Sequence, residues 1–159
     1  MSELPAPPDA PDPDVAETVE APGVAGAIPT FVLVDVASVS FAMPSPSPVV
    51  FLRESGDPYR GLEFPVGLPE AQSIALALEH ESPLRPGAHE LLVGVLTAAG
   101  CDVIAVRIVD HRDGVLRAEL DLVTPRGHEV LDCRPSDGLA IALRQLPPAP
   151  ILCDERLLD

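Results

Sequence analysis

Asp132-Cys133-Arg134-Pro135-Ser136-Asp137-Gly138-Leu139-Ala140-Ile141-Ala142-Leu143 is the stretch around which the rest of the chain is organised. It is predicted to end a strand and begin a helix, because Pro135 has a fixed φ and no N–H to satisfy in a first turn. Ser136 is the predicted N-cap, and Asp137 adds negative charge where the helix dipole favours it. The apolar residues that follow predict a helix buried on most sides. Three charged side chains therefore crowd the start of a buried helix, either as a structural clasp or as a site: Asp132, Arg134 and Asp137.

The composition predicts one domain with an N-terminal tail. The chain has 159 residues, of which 47% are hydrophobic, enough for a core. Residues 1–29 hold seven prolines and six acidic residues but no basic one, which is typical of a disordered acidic tail. Residues 30–159 are the predicted domain. We expect no signal peptide and no membrane span, and therefore a cytoplasmic protein.

The charge balance argues against simple nucleic-acid binding. The net charge is −15, and all ten basic residues are arginines. A chain of this charge repels a polynucleotide backbone, so binding DNA or RNA would need a local basic patch or bridging metal ions. The three cysteines show no CxxC spacing and are predicted to be reduced thiols packed in the core.

Hydrophobic periodicity and turn residues predict the order β-β-β-α-α-β-β-β-α-β. This order is typical of an α+β fold, here with a mixed, largely antiparallel sheet and about three helices. In the second helix, residues 89–99, one face is formed by Leu92, Val95, Leu96 and Ala99. The strands are predicted at residues 31–41, 49–53, 60–66, 103–110, 116–123, 128–133 and 151–153, and the helices at 69–81, 89–99 and 136–145.

The fourth and fifth strands form the clearest hairpin, with two possible registers. A two-residue Asp113-Gly114 turn would direct Arg107 to the apolar face. A three-residue loop over 112–114 would instead set Arg107 opposite Glu119 and direct Ile104 to the apolar face. We favour the three-residue loop, because opposite charges across two strands are stabilising.

Five motifs follow one another along residues 31–159. They are Val49-Val50-Phe51-Leu52-Arg53-Glu54, Glu70-Ala71-Gln72-Ser73-Ile74-Ala75, Arg85-Pro86-Gly87-Ala88-His89-Glu90-Leu91-Leu92, Asp110-His111-Arg112-Asp113-Gly114 and Arg134-Pro135-Ser136-Asp137-Gly138-Leu139-Ala140. In the same order, they resemble the PVVLLRE strand, the EAxAIA helix, and the RPxTHDLL, DLRDG and RPSDAIA motifs of the bifunctional nuclease domain family. The chain departs from these motifs at Ala88 for Thr, Glu90 for Asp, Cys133 for Ala and Gly138 for Ala.

The resemblance implies an α+β fold and a bacterial nuclease that hydrolyses phosphodiester bonds in DNA or RNA. A metal-dependent nuclease uses carboxylates to hold Mg²⁺ or Mn²⁺ against a phosphate, with a base or a metal-bound water beside it. The predicted catalytic residues are His89, Glu90, Asp132 and Asp137. Asp132 and Asp137 are also the predicted metal ligands, and Arg134 and Arg85 are predicted to bind the substrate.

Each of these residues also has a structural interpretation. Arg134 would be the ion-pair partner of Asp132 or Asp137, and Glu90, like Glu70, would be an ordinary acidic residue in a first helical turn. Two other functions therefore stay open. One is a non-catalytic, homo-oligomeric interaction or regulatory module, and the other is a binder of a small anionic ligand at the start of the last helix. A nuclease would bring the four catalytic candidates into one open cleft with arginine nearby, whereas a clasp would close them off from solvent.

Overall fold

The computed structural model describes residues 28–41 and 47–159. These residues form seven strands and three helices, and the predicted tail lies outside them except for Ile28 and Pro29. The strands are β1 Phe31–Ser40, β2 Val49–Glu54, β3 Gly61–Pro65, β4 Asp102–Arg112, β5 Val115–Thr124, β6 Gly127–Cys133 and β7 Ile151–Asp154. The helices are α1 Leu68–Leu78, α2 Ala88–Ala98 and α3 Pro135–Ala142, and one turn of 3-10 helix follows at Glu155–Leu157.

All seven described strands belong to one sheet, in the order β3-β2-β1-β7-β4-β5-β6. The pairing of β4 with β7 is parallel, and the other pairings are antiparallel. The connection from β6 to β7 carries α3 back across the sheet, which sets β7 beside β4 rather than beside β6. The predicted α+β fold with a mixed, largely antiparallel sheet is confirmed.

The core lies between one face of this sheet and the helices. Side chains alternate along a strand, so every second residue of β2 and β5 points toward the helices. Helix α3 packs against α1, α2, β4 and β5, and Leu139 is fully buried among them. The burial predicted for α3 is thus observed, because the helix is enclosed by four neighbouring elements.

The β4–β5 hairpin has the expected pairing but not the expected loop. Arg107 lies opposite Glu119, and a guanidinium nitrogen is 3.1 Å from a carboxylate oxygen. The predicted three-residue loop is wrong, because the strands pair up to Arg112 and Val115 and the turn has two residues. Its φ angles are +53° at Asp113 and +77° at Gly114, as tight hairpin turns require. With a regular β4, a two-residue turn would not set Arg107 opposite Glu119. An irregularity in β4 between Ile108 and Asp110 moves the pairing by one residue and so brings these two residues opposite each other.

Two other local predictions are corrected. A second irregularity in β4 directs Ile104 away from the core and leaves it 45% exposed. Helix α3 has Arg134, not Ser136, as its N-cap, because Pro135 already has helical φ and occupies the first turn. Gly100 follows α2 with a φ of +69°, as expected of a glycine that ends a helix.

Helix α2 does not bury the face that its sequence pattern predicts. None of its residues is buried, and Leu92 and Val95 are exposed. Of the predicted face, Leu96 does pack against the core, and Val93, which was not predicted, packs beside it. The reason is that α2 lies at the border of the helical layer and packs mainly on α3.

The cysteines are free thiols, as predicted, but only Cys153 is fully buried. Burial raises the pKa of Cys133 to about 11 and that of Cys153 to about 12. Such thiols are unreactive at neutral pH, which fits a packing role. No helix among the described residues is long and apolar enough to cross a membrane.

Candidate functional site

A cavity of about 400 Å³ opens between α1, α2 and the start of α3. The three helices converge here because α2 and α3 both begin at this end of the helical layer. Five of the predicted site residues line the cavity: Arg85, His89, Glu90, Arg134 and Asp137. These five predicted residues therefore lie on one surface, although they are up to 52 positions apart in the chain.

His89 and Asp137 form a hydrogen-bonded pair in this cavity. Nε2 of His89 is 3.1 Å from Oδ1 of Asp137, and the two side chains are 16% and 27% exposed. His89 is the second residue of α2, and Asp137 lies in the first turn of α3. With Nε2–H donating to the carboxylate, Nδ1 is the ring nitrogen left to exchange a proton with a ligand.

Asp137 also binds Arg134. The Nε and Nη2 atoms of Arg134 donate to the two carboxylate oxygens over 2.8 and 3.2 Å. Burial by itself would raise the pKa of Asp137, but hydrogen bonds from Arg134 and His89 outweigh it and hold this pKa below its ordinary value of 3.8. Asp137 is therefore an anion at neutral pH.

Arg134 links this pair to α1. Its Nη2 lies 3.3 Å from Oε1 of Glu70, a residue that the sequence analysis interpreted only as a first-turn acid. The side chain of Arg134 is 69% exposed, so its guanidinium reaches solvent at the mouth of the cavity. Only one sequence signal could have identified Glu70 as a residue of this site, namely its position at the start of the second family motif.

Glu90 acts as an anchor for α2. Its Oε2 accepts a hydrogen bond of 2.8 Å from the backbone N–H of Gly87, and its Oε1 accepts one of 2.8 Å from Nε of Arg144. Burial would raise the pKa of Glu90, but its own backbone N–H, Arg144 and Gly87 lower it below the ordinary value. Glu90 thus fixes the first turn of α2, which carries His89.

Arg144 is a residue that the sequence analysis missed. Its side chain is 10% exposed and donates hydrogen bonds to the carbonyl oxygens of Ala140 and Ser73 as well as to Glu90. It therefore joins α3, α1 and α2 behind the cavity. No motif marked it, because a lone arginine at the end of a predicted helix is common.

Asp132 is not brought together with these residues. Its Oδ1 accepts a hydrogen bond of 2.6 Å from Nη2 of Arg117, at an exposed position on β6. The next residue, Cys133, packs beside Gly138 of α3, so strand alternation directs Asp132 to the opposite face of the sheet. The predicted cluster of Asp132, Arg134 and Asp137 therefore contains only its last two members.

The residues of the cavity do not fit a resident divalent metal. No group of three or more His, Cys, Asp or Glu side chains that could hold a metal occurs within residues 28–41 and 47–159. Glu70 and Asp137 both face Arg134, whose guanidinium takes the position between two carboxylates where a cation would bind.

A second, larger cavity of about 590 Å³ lies on the other side of Arg134. Its walls include Phe64 and Val66 on one side and Leu116 on the other. Ser136 lines it and is 7% exposed. Arg134 therefore lines both cavities and stands between them.

These features define a class of protein: an α+β domain with a histidine–carboxylate pair and arginines in a cavity at the helical face of a mixed sheet. The chain belongs to the bifunctional nuclease domain family, whose model matches residues 50–159. Two uncharacterized proteins of Mycobacterium tuberculosis, from strains CDC 1551 / Oshkosh and ATCC 25618 / H37Rv, are each 39% identical over 126 residues. The alignments cover 79% of this chain and 73% of each relative. Membership of this family indicates a nuclease-related function.

Proposed function

We propose that this domain cleaves phosphodiester bonds in RNA or DNA at the cavity that holds His89. The observation that carries the proposal is the contact of 3.1 Å between His89 and Asp137, in the same cavity as Arg85 and Arg134. Histidine is the side chain best suited to proton transfer near neutral pH, and a bound carboxylate orients it. The family to which the chain belongs supports the same reaction class.

In this mechanism His89 accepts the proton of the attacking hydroxyl group at Nδ1. Asp137 holds the ring through Nε2 and stabilises the imidazolium that forms, since Asp137 is already an anion. The attacking oxygen then bonds to phosphorus, the bond from phosphorus to the leaving oxygen breaks, and the leaving oxygen takes up the proton that His89 accepted, directly or through water. A 2′-hydroxyl of RNA or a water molecule can serve as the nucleophile.

In the proposed reaction, two arginines of the cavity bind the phosphate. Arg85 lines the cavity and has no carboxylate partner among the described residues. Arg134 uses Nε and Nη2 for its carboxylates, and in the described part of the chain no partner is found for Nη1. Guanidinium groups match phosphate oxygens in geometry and charge, so both stabilise the charge that develops on phosphorus oxygens.

The test is cleavage of labelled single- and double-stranded RNA and DNA by rigorously purified protein. The variants are His89→Gln and Asp137→Asn, each confirmed to be folded. A matched control exists on the other side of the sheet, away from the cavity, where Asp121, which is 13% exposed, binds His128, which is 60% exposed. We expect cleavage to fall by about 100-fold or more in the two cavity variants and to be unchanged in Asp121→Asn.

Metal dependence is read in the same assay, with Mg²⁺, with Mn²⁺ and with chelator. Cleavage in chelator would support the histidine mechanism. Strict dependence on a metal, together with loss of activity in Asp132→Asn, would restore the metal site predicted from the sequence. Equal cleavage by all variants would identify a contaminant, and no cleavage under any condition would contradict the proposal.

A second candidate is the binding of a small anionic ligand with an apolar body in the larger cavity. The observation that favours it is the buried Ser136 hydroxyl, which lines this cavity beside Arg134 at the first turn of α3. The apolar walls would hold the body of the ligand, and the N–H groups of the first turn would face its charge. Ligand binding by a protein without any cleavage activity would favour this function over the first.

A further inference from the structure

Helix α2 carries an apolar surface that no other described part of the chain covers. None of its eleven residues is buried. Leu91 is 63% exposed and Val95 is 53% exposed, and Leu84 in the preceding loop is also exposed. A contiguous group of exposed, large apolar side chains typically marks a contact with another molecule.

The same surface carries no charge. The ionisable side chains of α2 are His89 and Glu90, and both are directed inward, where they bind Asp137 and Arg144. From Leu91 to Ala99 no residue is charged, although the chain as a whole carries −15. A basic partner would be attracted to the acidic surfaces of the chain rather than to α2. A second copy of the chain is itself acidic, so it meets the least electrostatic repulsion at α2, where the surface is uncharged.

We propose that two copies of this chain associate through α2, with the two helices antiparallel about a two-fold axis. In such a contact the same surface is used by both copies. If the axis passes between Gly94 and Val95, Leu91 of one copy lies opposite Ala98 of the other, a large side chain against a small one. A Cβ atom at Gly94 would meet nothing within 4 Å, so the helices can approach closely at their centre.

The size of the surface sets the strength of the association. Eleven helical residues span about 16 Å. A standard interface buries about 800 Å² on each partner, more than one short helix supplies. The dimer is therefore weak and forms in a concentration-dependent manner.

The test is sedimentation velocity of the full chain over a wide range of concentration. We compare the natural chain with Val95→Glu and with a matched control, Val115→Glu, at a valine that is 61% exposed at the start of β5. We expect a shift from monomer to dimer in the natural chain and in Val115→Glu, and a monomer throughout in Val95→Glu. Added salt does not weaken the dimer, because its contact is apolar.

A third variant separates lost packing from added repulsion. Val95→Arg lowers the net negative charge, so it would strengthen association if only repulsion mattered, and we expect it to be monomeric too. Thermal unfolding confirms that each variant is folded. The inference is overturned if the natural chain stays monomeric at every concentration, if Val95→Glu still dimerises, or if Val115→Glu dissociates the dimer equally. None of these outcomes depends on nuclease activity.

Discussion

At the scale of single residues, the site depends on Asp137, a half-buried carboxylate that stays ionised. Burial opposes its charge, but the hydrogen bonds from Arg134 and His89 more than offset that cost. A carboxyl group with a lowered pKa in the folded state contributes stability above its ordinary pKa and loses it as the pH falls through the folded pKa. The contribution of Asp137 is therefore present at neutral pH and is lost only in acid.

We predict that Asp137→Asn lowers the unfolding temperature at neutral pH, and that this difference shrinks as the pH falls below 3.8, the ordinary pKa of the group. The measurement is thermal unfolding of both proteins over a pH series. Asp132→Asn is the control, since the partners Arg117 and Asp132 are 42% and 67% exposed and such pairs contribute little. A constant difference between the natural chain and Asp137→Asn at every pH would contradict the prediction.

Residue-scale packing also explains two departures from the family motifs. Gly138 stands where the family has Ala, and a Cβ there would lie 2.9 Å from Cγ1 of Val106 and 3.3 Å from Sγ of Cys133. Cys133 itself replaces Ala of the family. A larger residue on β6 is thus matched by a smaller one on α3, which keeps the helix close to the sheet.

At the scale of elements, the helical layer is held together by Arg144. Arg144 follows the end of α3, and its guanidinium binds Glu90 on α2, Ser73 on α1 and Ala140 on α3, at a position that is nearly closed to solvent. No residue of α2 is fully buried, and only Val93 and Leu96 pack against the core, so this cluster adds to a small apolar contact. The position of His89 on α2 therefore depends on the hydrogen bonds of Arg144.

We predict that Arg144→Met lowers the free energy of unfolding by about 3 kcal/mol, because it leaves the Glu90 carboxylate without its partner in a partly buried site. Arg117→Met, which breaks the exposed pair with Asp132, should cost no more than about 1 kcal/mol. Denaturant unfolding measures both. Amide hydrogen exchange should show faster exchange in α2 for Arg144→Met, and equal effects of the two variants would refute the anchoring role.

At the scale of the whole molecule, charge sets the response to salt. A chain with a net charge of −15 repels a polynucleotide, and dissolved ions screen that repulsion. Basic nucleases behave in the opposite way, because salt displaces them from the phosphate backbone. In the proposed function, the cavity arginines attract a phosphate only at short range, whereas the net negative charge of the chain repels the polynucleotide at longer range.

We predict that the KM for a long RNA or DNA substrate falls as monovalent salt is raised from low concentration, whereas the KM for a dinucleotide substrate changes little. Initial rates at several salt concentrations measure both values. A KM that rises steeply with salt for the long substrate would show that a basic surface dominates binding, contrary to the charge balance of the chain.

Local sequence determined much of the fold. The order of strands and helices, the burial of α3 and the pairing of Arg107 with Glu119 were all predicted, because periodicity and cross-strand charge act between near neighbours. The hairpin loop was mispredicted because two arrangements give the same pairing: a three-residue loop, or a two-residue turn with a bulge in β4. The backbone φ angles at Asp113 and Gly114 identify the two-residue turn.

Family motifs in the sequence also named five residues that line the candidate site, since each motif marks its own segment. Only the tertiary structure decided which of them touch. It joined His89 to Asp137 across two helices and showed Glu90 to be held by Arg144. It also separated Asp132 from Asp137. Adjacent residues of a strand point to opposite faces of a sheet, and the helices cover only one of those faces, so Asp132 points away from the helix that carries Asp137.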